Sequence, residues 1–115
     1  MLKRKYCLKS KRDFNKLFKL GKSFYTEGLG IIILKNSFEH PRIGIIISSK
    51  VSKKAVVRNK LRRRIKYIFY KYLNKFKNLD IVIITQKSIT NDDFKNLEKK
   101  ILKLFNESDV FRKTN

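Results

Sequence analysis

Forty consecutive residues, His40 to Leu79, contain no Asp or Glu but thirteen Lys or Arg. Threaded through that run, Ala55, Leu61, Ile65, Ile68, Tyr72 and Phe76 recur at spacings of three, four or their sums. The spacing predicts a helix over residues 54–76 with one apolar stripe. Like charges three and four residues apart, with no carboxylate between them, destabilise a helix on its own. Such a helix needs its stripe buried against another element and its charge met by something outside the chain. The whole chain repeats the pattern: 30 Lys+Arg oppose 9 Asp+Glu, a net charge of +21, yet 42% of residues are hydrophobic and 12% aromatic. A basic disordered tail would lack that apolar content. An ordinary soluble enzyme would not tolerate that self-repulsion without a polyanion. The reading is a folded domain whose working state is bound to phosphates.

The rest of the chain supplies the elements for burial. Residues 10–20 fit a helix, with Ser10 and Asp13 in capping-box positions, Phe14, Leu17 and Phe18 on one face and Gly21 at its end. Residues 23–35 are extended and finish in Ile31-Ile32-Ile33, with a bend or bulge at Gly28 and Gly30. His40-Pro41 marks a turn. Residues 42–48 alternate, placing Ile43, Ile45 and Ile47 on one face and Gly44, Ile46 and Ser48 on the other. Residues 79–85 read as a buried strand. Thr90 and Asp93 open a last helix with Phe94, Leu97, Ile101 and Leu104 inward. The order is α-β-β-(β)-α-β-α, the first extended stretch being one strand or two. The class is α+β, a small two-layer sandwich of helices on a sheet. At 115 residues it is a single domain, 1–115, with 1–8 expected as a flexible N-terminal segment.

Several chemistries find no support. Cys7 is the sole cysteine, so no internal disulfide or thiolate cluster forms within one chain. The longest apolar runs fall far short of the ~18 residues of a membrane span. No apolar segment of secretory type follows the basic N-terminus. His40 has no evident catalytic partner, and Asp92-Asp93 read as helix N-terminal charge. No Gly-rich phosphate loop or metal-ligand spacing appears. A nuclease centre of its own would need metal-holding carboxylates that the chain does not present.

At about 100° per residue, Asn59, Arg62, Arg63 and Lys66 fall on one flank of the central helix, suited to tracking phosphates. Tyr67, Phe69, Tyr70 and Tyr72 lie among the same cations. Aromatics interleaved with Lys and Arg suit single-stranded nucleic acid. Phe69, Tyr72 and Phe76 are read as core. Phe14 and Phe18 fit either the core or a cleft between the first helix and the sheet.

The run Ala55-Val56-Val57-Arg58-Asn59-Lys60-Leu61-Arg62-Arg63-Arg64-Ile65-Lys66 resembles the Arg-Asn-Arg signature of the bacterial ribonuclease P protein component. Leu8 to Phe14 with Phe18 and Gly21, Arg42-Ile43-Gly44-Ile45, and Asp80 to Ile84 resemble the family's flanking elements, in the same order. The resemblance implies the small subunit of a ribonucleoprotein that removes the 5′ leader from precursor tRNA. Catalysis would lie in the large RNA, with Mg²⁺ held there and none bound by the protein alone. It implies a left-handed βαβ crossover around the central helix, against the general preference. Matched by motif position, Arg58, Asn59, Lys60, Arg62, Arg63 and Lys66 would contact the catalytic RNA. Phe14 and Phe18 would line the leader cleft, with Lys50 at its rim. Lys60 and Lys66 stand where the family favours Arg, which keeps charge but gives up the planar two-pronged contact. The implied partners are the catalytic RNA and precursor tRNA, with no membrane and no further protein, in the cytoplasm. The rival reading is a ribosomal or ribosome-assembly protein.

Overall fold

Ser10 starts the first helix, α1 (Lys11–Leu20): its hydroxyl accepts from the backbone N–H groups of Arg12 and Asp13 at 3.1 and 3.4 Å. Only half of the expected capping box forms, because the Asp13 carboxylate turns to Arg42 instead of back to the cap. The computed structural model describes residues 2–86 and 94–113. The Thr90/Asp93 cap and the Asp92-Asp93 pair lie outside the described residues.

The extended stretch after α1 is two strands, β1 (Lys22–Thr26) and β2 (Leu29–Lys35), paired antiparallel from Lys22↔Ile33 to Thr26↔Leu29. Gly28, at φ 77°, supplies the left-handed residue of the tight connection, so the bend anticipated from the glycines is a hairpin turn. β3 (Arg42–Ile47) and β4 (Leu79–Thr85) complete one sheet in the order β1-β2-β4-β3. β2 and β4 are antiparallel, whereas β3 and β4 are parallel neighbours joined through the central helix, α2 (Ala55–Lys71).

Strand alternation sorts the side chains. Ile31, Ile43, Ile81 and Ile83 face α2 and the last helix, α3 (Phe94–Glu107), where they meet Ile65, Ile68, Phe69, Leu97, Ile101, Leu104 and Phe105. Burying each such side chain contributes roughly 1.5–3 kcal/mol, which offsets the repulsion along α2. On the other face Ile32 and Val82 pack with Leu8 and Leu17, so α1 adds a smaller cover over the sheet centre. The architecture is α+β with a four-stranded sheet and three helices, as the sequence indicates.

Two expectations need correction. The central helix ends at Lys71; a 3-10 turn, Leu73–Lys75, follows and drops Phe76 into the core, 4.6 Å from the Phe69 ring and 5.0 Å from Phe105. Ala55 is exposed, because the helix stands clear of the sheet in its first turn. Residues 2–8 run against the sheet: Leu8 is buried, its N–H donates to the Ile43 carbonyl at 2.8 Å, and Cys7 bridges Ile43. A strand edge with unpaired backbone groups is a liability, and this strap covers the edge of β3.

Candidate nucleic-acid interface

Burial of Leu61, Ile65, Ile68 and Phe69 fixes the rotation of α2 about its axis, and so decides where every cation points. Asn59, Arg62, Arg63 and Lys66 come out together on one flank. Lys60 sits at the edge of that flank, roughly 60° around the helix from Arg63 and roughly 160° from Arg62. Arg58 is half-buried and donates from Nη1 to the Ser52 carbonyl at 2.7 Å, which ties the loop before the helix to its second turn. Arg62 donates to Asn59 Oδ1 at 3.1 Å, one helical turn away. The flank is therefore tied in part by its own side chains.

The candidate cleft residues separate. The Phe14 ring lies against Gly44 of β3, where an added Cβ would come 2.5 Å from two of the ring carbons. Only glycine leaves that space. Phe14 then borders a depression of about 320 Å³ at the β3 edge, with Leu8, Ile45, Arg62 and Lys66 among the other walls. An aromatic ring from α1 and two cations from α2 thus line one hollow, although they sit on opposite faces of the sheet. Phe18, 49% exposed, and Lys50, also exposed, are not among its walls. Tyr72 is half-buried, and its O–H donates to Glu98 at 2.8 Å, while Phe69 and Phe76 are core, as read from the sequence.

What holds Phe14 in place is a network that the sequence reading passes over. Arg42 donates from Nε and Nη2 to the two Asp80 oxygens at 2.8 and 2.6 Å, and from Nη1 to Asp13 at 3.2 Å. Asp80 also accepts from Asn36 Nδ2 at 2.9 Å. The hydrogen bond to Asp80 raises Arg42 further above its already high value, and both carboxylates add to this. The network pins α1 to the starts of β3 and β4. A signal was present: Arg42 and Asp80 each open an Ile-rich run, and parallel pairing sets them side by side.

Among the described residues, carboxylate ion pairs engage Arg42, Lys71 and Lys77. None reaches Arg62, Arg63 or Lys66. The flank is cationic, uncompensated and next to an aromatic hollow. That arrangement suits a phosphate backbone with adjacent bases.

Comparison with known proteins agrees with this geometry. The Ribonuclease P family model matches residues 2–109. The ribonuclease P protein component of Clostridioides difficile strain 630 is 41% identical over 105 residues, covering 90% of this chain and 91% of that protein. The structure of the Staphylococcus aureus RNase P protein superposes with a TM-score of 0.89 at 25% identity, over 93% of this chain and 98% of that one. The Thermotoga maritima RNase P protein gives 0.80 at 34% identity, over 87% and 94%. No described helix is long and apolar enough to cross a membrane. With the family model spanning nearly its whole length, this chain belongs to the ribonuclease P protein family.

Proposed function

We propose that the chain is the RNA-binding subunit of a tRNA-processing ribonuclease, gripping a large catalytic RNA with α2 and the single-stranded 5′ leader of precursor tRNA near Phe14. The observation that supports this best is the hollow at the β3 edge, where Phe14 meets Arg62 and Lys66. Arg58, Asn59, Arg62, Arg63 and Lys66 serve the catalytic RNA. Lys60 serves it from the edge of the flank as a long-range charge. Phe14 stacks on the leader, Phe18 extends the aromatic surface into solvent, and Lys50 meets leader phosphates at the rim.

The division of labour follows from charge. Two polyanions, the enzyme RNA and its substrate, repel each other, and a domain of net charge +21 between them lowers that cost. The chemistry of Mg²⁺ is assigned to the RNA. Asp13 and Asp80 converge, but on the Arg42 guanidinium, and among the described residues no three His, Cys, Asp or Glu gather. The donor set of the described residues does not fit a metal. Precursor tRNA as substrate places the work in the cytoplasm, with no membrane and no further protein partner.

The test is leader cleavage by the partner RNA at low Mg²⁺. Added protein should lower the Mg²⁺ requirement, and protein alone should not cleave. Phe14→Ala should weaken precursor binding and spare mature tRNA, whereas Arg63→Ala should weaken assembly with the catalytic RNA. An unchanged Mg²⁺ titration refutes the reading. Equal loss for precursor and mature tRNA in the Phe14 variant removes Phe14 from the leader site.

A further inference from the structure

One to two helical turns beyond Arg62 and Arg63, α2 presents Tyr67 and Tyr70, 56% and 47% exposed. With Leu2 of the N-terminal strap they line a hollow of about 540 Å³ whose remaining walls are Arg63 and Lys66. The apolar stripe of α2 is already complete without them, so neither ring is needed by the core. Tyr67 is braced from α3 by Phe94, ring centroids 5.9 Å apart and planes at 54°. Tyr70, about half exposed, has no ring neighbour among the described residues.

The walls define the occupant. Two aromatic rings and a leucine favour a flat, weakly polar group. Two cations and no carboxylate favour an anion attached to it. A base locked in a duplex offers no free face, whereas an unpaired one in a loop or bulge does. We propose that Tyr70 stacks on one unpaired nucleobase of the RNA partner, with Arg63 and Lys66 on its flanking phosphates. The inference rests on the α2 interface reading above and adds a contact that charge alone does not supply. The N-terminal strap is part of the site, because Leu2 closes its far wall.

The experiment measures affinity for the transcribed RNA subunit against salt, for wild type, Tyr70→Ala, Tyr70→Phe, Tyr70→Trp and Arg63→Ala. Loss of one stacked ring should weaken binding about tenfold. Stacking releases no counterions, so Tyr70→Ala should keep the wild-type slope of log affinity against log salt. Arg63→Ala should lower that slope by about one. Tyr70→Phe should bind as wild type. The chain has no Trp, so Tyr70→Trp carries a single reporter whose fluorescence RNA should quench. It also keeps the experiment decisive should Tyr70→Ala unfold. Wild-type affinity for Tyr70→Ala, or no quenching of Tyr70→Trp, overturns the stacking contact. If Tyr70→Phe is as weak as Tyr70→Ala, the hydroxyl and not the ring makes the contact, and stacking is again overturned. Should Arg63→Ala also bind as wild type, the α2 interface itself falls, and the two failures are told apart.

Discussion

Replacing Asp80 by Ala removes three hydrogen bonds at once: those from Arg42 Nε at 2.8 Å, Arg42 Nη2 at 2.6 Å and Asn36 Nδ2 at 2.9 Å. The pair is well covered, the two side chains being 15% and 10% exposed. Breaking a buried ion pair from one side costs roughly 3–5 kcal/mol, because the remaining charge stays desolvated. Arg42 keeps Asp13 at 3.2 Å and the Phe38 ring at 4.3 Å, so the lower end applies, about 3 kcal/mol. That is a large share of the ~5–15 kcal/mol that holds a domain of this size together. Removing any acid also raises the net charge of +21 by one, and this background must be subtracted. Glu27→Ala, in the exposed hairpin turn, makes the same charge change and should cost within about 0.5 kcal/mol. The assay is urea unfolding at pH 7 followed by circular dichroism. With a slope of about 1.5 kcal/mol/M, Asp80→Ala should lower the midpoint by roughly 2 M. A shift no greater than that of Glu27→Ala would refute the reasoning, since water would then be screening the pair.

The remaining predictions concern the Phe14 seat and the α2–α3 contact. Gly44→Ala should push the Phe14 ring off β3 at a stability cost of about 1–3 kcal/mol. Its precursor affinity should fall toward that of Phe14→Ala, and wild-type preference for precursor over mature tRNA would show that the ring need not lie there. Hydrogen bonds from Lys71 and then Tyr72 hold the Glu98 carboxyl below its ordinary value of 4.5. The unfolded chain therefore takes up this proton at higher pH than the folded one. The stabilisation is complete above about pH 5 and lost as pH falls through the lowered folded value. The stability difference between wild type and Glu98→Gln should shrink on acidification below pH 4, and parallel curves would remove Glu98 from the acid transition.

The legible part of the fold is the part that rests on period. The two-residue alternation of 42–47 and the three-and-four spacing of Leu61, Ile65 and Ile68 identify elements and buried faces directly, because burial is what selects those patterns. The end of α2 was not legible. Phe76 continues the helical spacing, but a 3-10 turn delivers it to the same core by another route. The docking of residues 2–8 depends on a hydrogen bond to a strand edge far along the chain, which no local pattern announces. The flank of Asn59, Arg62, Arg63 and Lys66 follows from helix geometry alone. Its proximity to Phe14 does not: it needs the rotation of α2, the glycine at 44 and the Asp13–Arg42–Asp80 network together.

The placement of the few acids makes the site and the fold one problem. A chain with nine carboxylates against thirty cations cannot neutralise itself, so where the nine stand decides which cations remain free. Asp13 and Asp80 hold Arg42 between α1 and the sheet, Glu98 holds Lys71 and Tyr72 between α2 and α3, and Asp109 holds Lys77 beside the end of α3. Each of these pairs joins two elements, and each lies away from the flank of Arg62, Arg63 and Lys66. Had the acids been placed along α2 at i,i+4, the helix would gain a few tenths of a kcal/mol per pair in isolation. It would also present compensated charge to RNA, and each phosphate would then have to displace an internal partner. With these four carboxylates at the joints, the helix relies on the burial of Leu61, Ile65, Ile68 and Phe69 for its stability and leaves the cations of that flank for an external polyanion. The acid-free run from His40 to Leu79 is thus the sequence record of a structural choice: the apolar core carries the helix, and the charge is reserved for the partner.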